Sequence, residues 1–179
     1  MKELLEILDA MTSHKGDVEN PRDFYHEVAE RIVKHVTGAF ACRPDEVAIL
    51  IVTSDAKHLR FVAPRKFADL GTIPVTKRDS IAVNVLQKKT GDVMNNVPMV
   101  KHVAFFESVK LRDKSGPIQK MITIPILYGG EAVGVAQISR KGDTPSAAGA
   151  DFTPGDLDRA QKLFQGVAPY LVDARPDRF

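Results

Sequence analysis

The stretch from Met121 to Ser139 leaves a folding chain little choice. It reads MITIPILY, then Gly129-Gly130, then EAVGVAQIS. Two apolar, β-rich runs are joined by the dipeptide that most readily supplies the positive φ angles of a tight hairpin turn. Pro125 removes one ladder donor, so that part of the first strand must lie at a sheet edge or carry a bulge. A second hairpin is expected upstream. Glu46 to Thr53 is a β-branched apolar run, Ser54-Asp55-Ala56-Lys57 has turn chemistry, and His58 to Ala63 returns. Two such hairpins make an antiparallel sheet whose apolar faces need cover.

Helices supply that cover. Residues 1–19 begin with Leu4, Leu5, Leu8 and Met11 among Glu3, Glu6 and Asp9, an amphipathic spacing and not a signal peptide. Asn20 can cap a helix that starts at Pro21. It carries Phe24, Val28, Ile32, Val33 and Val36 on one face and is expected to stop at Gly38. At the other end, Thr153-Pro154-Gly155-Asp156 opens a helix lined by Leu157, Ala160, Leu163, Phe164, Val167 and Leu171. Here Thr153 is the cap and Asp156 complements the dipole.

The middle of the chain is more broken. Ile73 to Val75 reads as a short extended piece. A helix capped by Asp79 or Ser80 carries Ile81, Val83, Val85 and Leu86 and ends at Thr90-Gly91; Val93-Met94 is extended. A short helix is expected over residues 100–106, a polar loop over 110–117 and a hairpin-to-helix connection over 141–150. The fold class is α+β: a central antiparallel sheet with the N- and C-terminal helices on one face and short helices and loops over a pocket on the other. The chain divides into a helical extension (1–19), a domain (20–172) and a charged tail (173–179). The Met1 start and that tail suggest a complete small protein.

Composition narrows the function classes. The one cysteine, Cys42, forbids an internal disulfide and fits a reducing compartment. No stretch approaches the roughly 18 apolar residues of a membrane span, so a cytoplasmic location is expected. Formal net charge is +2 but uneven, with 13 Lys and Arg against 5 Asp and Glu between Lys57 and Lys120. That suits either a solvated basic face or a pocket for an anionic ligand. Nucleic acid is the weaker reading, because no nucleic-acid motif accompanies the scattered charges.

Four ordered stretches resemble the GAF family of small-molecule-binding and signalling domains. AILIVTSDAKHLRFVAP is similar to its first core strands. IPVTKRDSIAVNVLQKKTGDVMNNV resembles its segment of extended piece, helix, Thr-Gly stop and strand ending in Asn. MITIPILYGGEAVGVAQIS resembles its closing hairpin, and FTPGDLDRAQKLFQGVAPYL its final helix. Together they span roughly residues 22–172. The resemblance implies a ligand sensor whose flanking helices pair in a homodimer and signal to a partner or output domain.

A pocket is also expected from the residues alone. A sheet face bearing Phe61, Ile122, Ile124 and Val135 would be covered by Ile81, Val85, Met94, Val103, Phe105 and Phe106, with His102 in the same lid. Short helices and loops can leave a cavity, or the same residues can close a packed core. Arg65, Lys66, Lys101, Lys110 and Lys114 are candidate contacts to an anion. The ligand-binding set is therefore Phe61, Arg65, Ile81, Val85, Met94, His102, Phe105, Phe106, Ile122 and Ile124.

Catalysis has no support in the sequence. Some GAF relatives are methionine sulfoxide reductases, which use an attacking and a resolving cysteine, whereas this chain has Cys42 alone, outside the expected pocket. A bilin attached through cysteine would need a pocket position too. The histidines at 14, 26, 35, 58 and 102 show no zinc spacing. His102, in the expected lid, could face a ligand or a haem iron, or be a surface or core-edge histidine. The Asn-Lys, Phe and Asp-Glu pattern of cyclic-nucleotide-binding relatives is incomplete at Asn95-Asn96 and Phe105-Phe106. Neither G-x-S-x-G nor a phosphate loop occurs. The cofactor stays unknown. The leading expectation is a cytoplasmic, dimeric, non-catalytic small-molecule sensor. The alternatives are a ligand-free protein–protein interaction module and a redox enzyme using Cys42.

Overall fold

A computed structural model of the chain describes residues 1–69, 71–99 and 116–179. The helices among them are α1 (Lys2–Thr12), α2 (Pro21–Phe40), α3 (Ile81–Lys88) and α4 (Pro154–Asp173). The strands are β1 (Val47–Val52), β2 (His58–Ala63), β3 (Thr72–Pro74), β4 (Asp92–Met94), β5 (Ile118–Tyr128) and β6 (Glu131–Lys141). They form one antiparallel sheet in the order β3-β2-β1-β6-β5-β4. The fold class is α+β, as the two hairpins and their flanking helices require.

Local chemistry sets the boundaries. Gly129 and Gly130 both have positive φ, 59° and 82°, and close the β5–β6 hairpin. Asn20 caps α2 by accepting from the backbone N–H groups of Arg22 and Asp23. Thr153 and Asp156 form a reciprocal capping box on α4. Two expected helix stops are corrected. Gly38 does not end α2; the helix runs to Phe40 and closes on Ala41 in the left-handed region. Likewise α3 ends at Lys88, with Lys89 in that region, before Thr90-Gly91 is reached. Gly38 lies on the exposed side of α2, and its cost of about 1 kcal/mol to the helix is outweighed by the buried face that Val36 and Phe40 continue. Pro125 sits on β5 beyond the reach of β4, which backs only residues 121–123, and the β5–β6 register slips next to it, between Ile126 and Leu127.

The sheet divides the core in two. On one face α1, α2 and α4 pack as a layer over Val47, Ile49, Ile51, Val62, Ile122, Ile124, Ile126, Ala136 and Ile138. Leu4 and Leu8 of α1 are buried in that same cluster, so the first helix belongs to the main core. On the other face α3 and a 3-10 turn at Arg65–Phe67 cover Ala48, Leu50, Leu59, Phe61, Ile73 and Val135. The expected helix over 100–106 and most of the expected loop over 110–117 lie outside the described residues.

Candidate functional site

The α3 side of the sheet is apolar where α3 packs on β5 and β6 near their hairpin and over β1 and β2, where Phe61 meets Phe67 edge-on with ring centroids 5.5 Å apart. Farther from the hairpin, β5 and β6 turn polar on this side. Thr123 and Gln137 are opposite each other in the ladder and both are buried, Gln137 with 3% of its surface exposed. The Gln137 side-chain N–H donates to Thr123 Oγ1 at 3.3 Å, and Gln137 Oε1 has no partner among the described residues. Leaving such a group unpaired in a protein interior costs about 1–3 kcal/mol. Ser139, the next residue on this side of β6, spends its hydroxyl on the Glu46 carbonyl at 3.0 Å.

Beside this polar strip, α3 and β4 border a cleft of about 380 Å³. Ile81, Val85 and Met94 supply its apolar lining; Asn84, Lys88, Thr90 and Asp92 supply its polar rim. In the ladder Asp92 lies opposite Thr123 and Met94 opposite Met121, so both point to the side that carries Gln137. The end of β4 is held by Asn95, whose amide clamps the Phe152 backbone through bonds of 2.9 and 2.8 Å. That closed pair gives Asn95 a structural duty.

The ten sequence-derived candidates separate. Ile81, Val85 and Met94 come together in the α3–β4 cleft. Phe61 and Arg65 line a different cleft, of about 260 Å³, by the first turn of α2, where the Arg65 guanidinium pairs with the Asp23 carboxylate. Ile122 and Ile124 are corrected: they face α1, α2 and α4 and share no face with Phe61 and Val135. Alternation puts them together, but only the pairing with Ile138 and Ala136 decides the side. His102, Phe105 and Phe106 lie outside the described residues, as do Val103, Lys101, Lys110 and Lys114. Lys66 stands over the Phe67 ring at 5.3 Å. Thr123 and Gln137 are the residues that sequence reasoning missed; their signal was a polar side chain inside each of the apolar stretches 121–127 and 132–138.

The remaining chemistry is sparse. Cys42 is a half-buried free thiol on the helix side, and burial, helped by Glu46, pushes its pKa up to about 11. An attacking thiolate needs the opposite shift. Among the described residues, no group of three or more His, Cys, Asp or Glu side chains is placed to hold a metal ion. Nor is any helix long and apolar enough to cross a membrane.

Solved structures give the architecture a name. The chain is similar to the GAF domain of a Coxiella burnetii phosphoenolpyruvate-protein phosphotransferase, with a TM-score of 0.67 and 14% identity over 96% of this chain and 94% of that one. The GAF domain of the Acinetobacter phosphoenolpyruvate-protein phosphotransferase gives 0.64 and 12%, over 97% and 95%. A type II free methionine-R-sulfoxide reductase from Thermoplasma acidophilum gives 0.59 and 16%, over 86% and 96%. No protein-family profile matches the sequence, and no curated protein matches it. The fold is GAF-like, the kind of fold found in sensory and signalling domains.

Proposed function

We propose that this chain is a non-catalytic sensor domain that holds a small molecule on the α3 side of its sheet and signals through its helical layer. The observation that carries the reading is the unsatisfied amide end of Gln137, buried beside Thr123, whose ladder partner Asp92 lines the cleft of Ile81, Val85 and Met94. A ligand with one complementary polar group would recover the hydrogen bond that the protein leaves open, while the apolar lining would take its hydrophobic part. Lys88 on the rim favours a ligand that also carries an acidic group. The raised pKa of the lone thiol supports a binding role over redox catalysis, and a lone thiol suits the cytoplasm. Self-association through the outer stripe of α1, where Met1 and Ile7 are exposed, would carry the signal to a second copy or partner.

The test is native mass spectrometry on the purified chain beside Gln137→Met. The reading expects a discrete extra mass on the unaltered chain, lost on denaturation and absent or strongly reduced in the variant, whose melting temperature stays level or rises. If both proteins are clean and no compound in a metabolite thermal-shift screen separates them, Gln137 is only an unsatisfied core residue and the reading falls.

A further inference from the structure

After α4, residues 174–179 stay on the domain. They turn back across the β1–β2 hairpin and end with Phe179 in the cleft at the first turn of α2. Ser54 of the hairpin turn makes three of the bonds that hold this return, and Arg175 adds one to the Val52 carbonyl at 3.4 Å. The Ser54 backbone N–H donates to the Phe179 main-chain oxygen at 2.9 Å, its hydroxyl donates to the Asp177 carbonyl at 3.0 Å, and its Oγ accepts from the Phe179 N–H at 3.1 Å. The Phe179 ring meets Tyr25 edge-on, centroids 5.2 Å apart and planes at 88°, and the Arg60 guanidinium stands 5.4 Å from its centroid. Ring, N–H and carbonyl are thus each read by a different group. A slot read in this way selects a phenylalanyl residue, with an aromatic anchor and two main-chain contacts.

Two observations make the occupancy conditional. The slot is not full: the cleft of about 260 Å³ that continues past Phe179 is lined by Arg22, His26, Arg60 and Arg65. The closed arrangement also carries a penalty, because the Tyr25 hydroxyl is buried without a partner, and water would satisfy it once the tail lifted. One buried polar group thus works against the closed contacts.

We propose that this slot, built from Ser54, Tyr25 and Arg60, is a recognition site for a phenylalanyl residue, filled in this chain by its own Phe179, so that residues 174–179 form a displaceable latch tying the end of α4 to the first turn of α2. The ligand class is an aromatic amino-acid residue with a free N–H and C=O. The site lies outside the α3–β4 cleft and does not depend on what that cleft binds.

The experiment titrates N-acetyl-L-phenylalanine, by NMR, into three full-length proteins: the unaltered chain, Phe179→Ala and Phe179→Leu. The unaltered chain should bind at least tenfold more weakly than Phe179→Ala, because its own residue competes at high effective concentration. Phe179→Leu should fall between them. Adding Arg60→Ala to Phe179→Ala should remove most of the gain, and N-acetyl-L-leucine should bind Phe179→Ala at least fivefold more weakly. Equal affinity for all three proteins overturns the proposal. So does absence of binding to both variants while their thermal unfolding stays cooperative. If Phe179 instead fills the slot of a second copy, the unaltered chain will dimerise with concentration and Phe179→Ala will not, which overturns the latch within one chain.

Discussion

At the scale of single residues, the half-buried Cys42 and the buried Tyr25 both weigh on stability in alkali. Burial raises the Cys42 pKa from an ordinary value of 9.0 to about 11, and it raises Tyr25 well above 10 with only partial opposition from Arg175. In both the neutral form is favoured in the folded chain. The stability this contributes is fully present below the unfolded pKa and is lost as pH rises, since the unfolded chain ionises first. Urea midpoints should therefore be level up to about pH 9 and then fall. Cys42→Ser should flatten the fall between pH 9 and 11, and Tyr25→Phe should reduce the part that continues above pH 10. A midpoint that falls equally in all three proteins would assign the effect to other groups. The same scale shows what sequence reading could reach. The caps at Asn20 and Thr153 were legible because capping chemistry is local. Gln137 was not, because whether an amide finds a partner depends on the residue opposite it, here Thr123 on another strand.

At the scale of elements, the hairpins were legible and their sidedness was not. Turn residues and β-branched runs mark where strands start and stop. Ile122 and Ile124 could be placed on one face together, but the choice of face follows from the register of β5 on β6 and of β6 on β1. Sliding a strand by one residue exchanges its two faces, so the error moved both isoleucines at once. Their true place makes a stability prediction. Ile124→Ala opens a cavity under α4 and should cost about 2–5 kcal/mol by chemical denaturation, with no effect on occupancy of the α3–β4 cleft. Gly134 marks the same register from the other side. A Cβ there would lie 2.4 Å from the Leu50 carbonyl oxygen and 2.7 Å from Ile51 Cδ1. The backbone atom belongs to a paired central strand and cannot yield. Gly134→Ala should cost about 2 kcal/mol or more, and a smaller loss would mean that β1 and β6 are not seated as closely as described.

At the scale of the whole molecule, the ends of the chain decide how the domain is tied together. Sequence reading divided residues 1–19, an amphipathic helix followed by a polar loop, and the charged residues 173–179 from the domain. Packing shows what those residues do. Leu4 and Leu8 sit in the same core as Phe164 and Val167 of α4, and the Tyr170 hydroxyl donates to the Asp9 carboxylate at 2.6 Å. Lys15 reaches Asp173, a pair 3.6 Å apart at the end of α4. A detachable extension would lose little from truncating Leu8. A helix that completes the core would lose about 2–5 kcal/mol, since Leu8 is fully buried. Leu8→Ala should therefore lower the global unfolding midpoint in one cooperative transition seen alike by far-ultraviolet circular dichroism and by tyrosine fluorescence. Two transitions, with the sheet unaffected by the first, would instead make α1 an independent appendage. A signal passed from the sheet to α1 would then have no rigid path to follow.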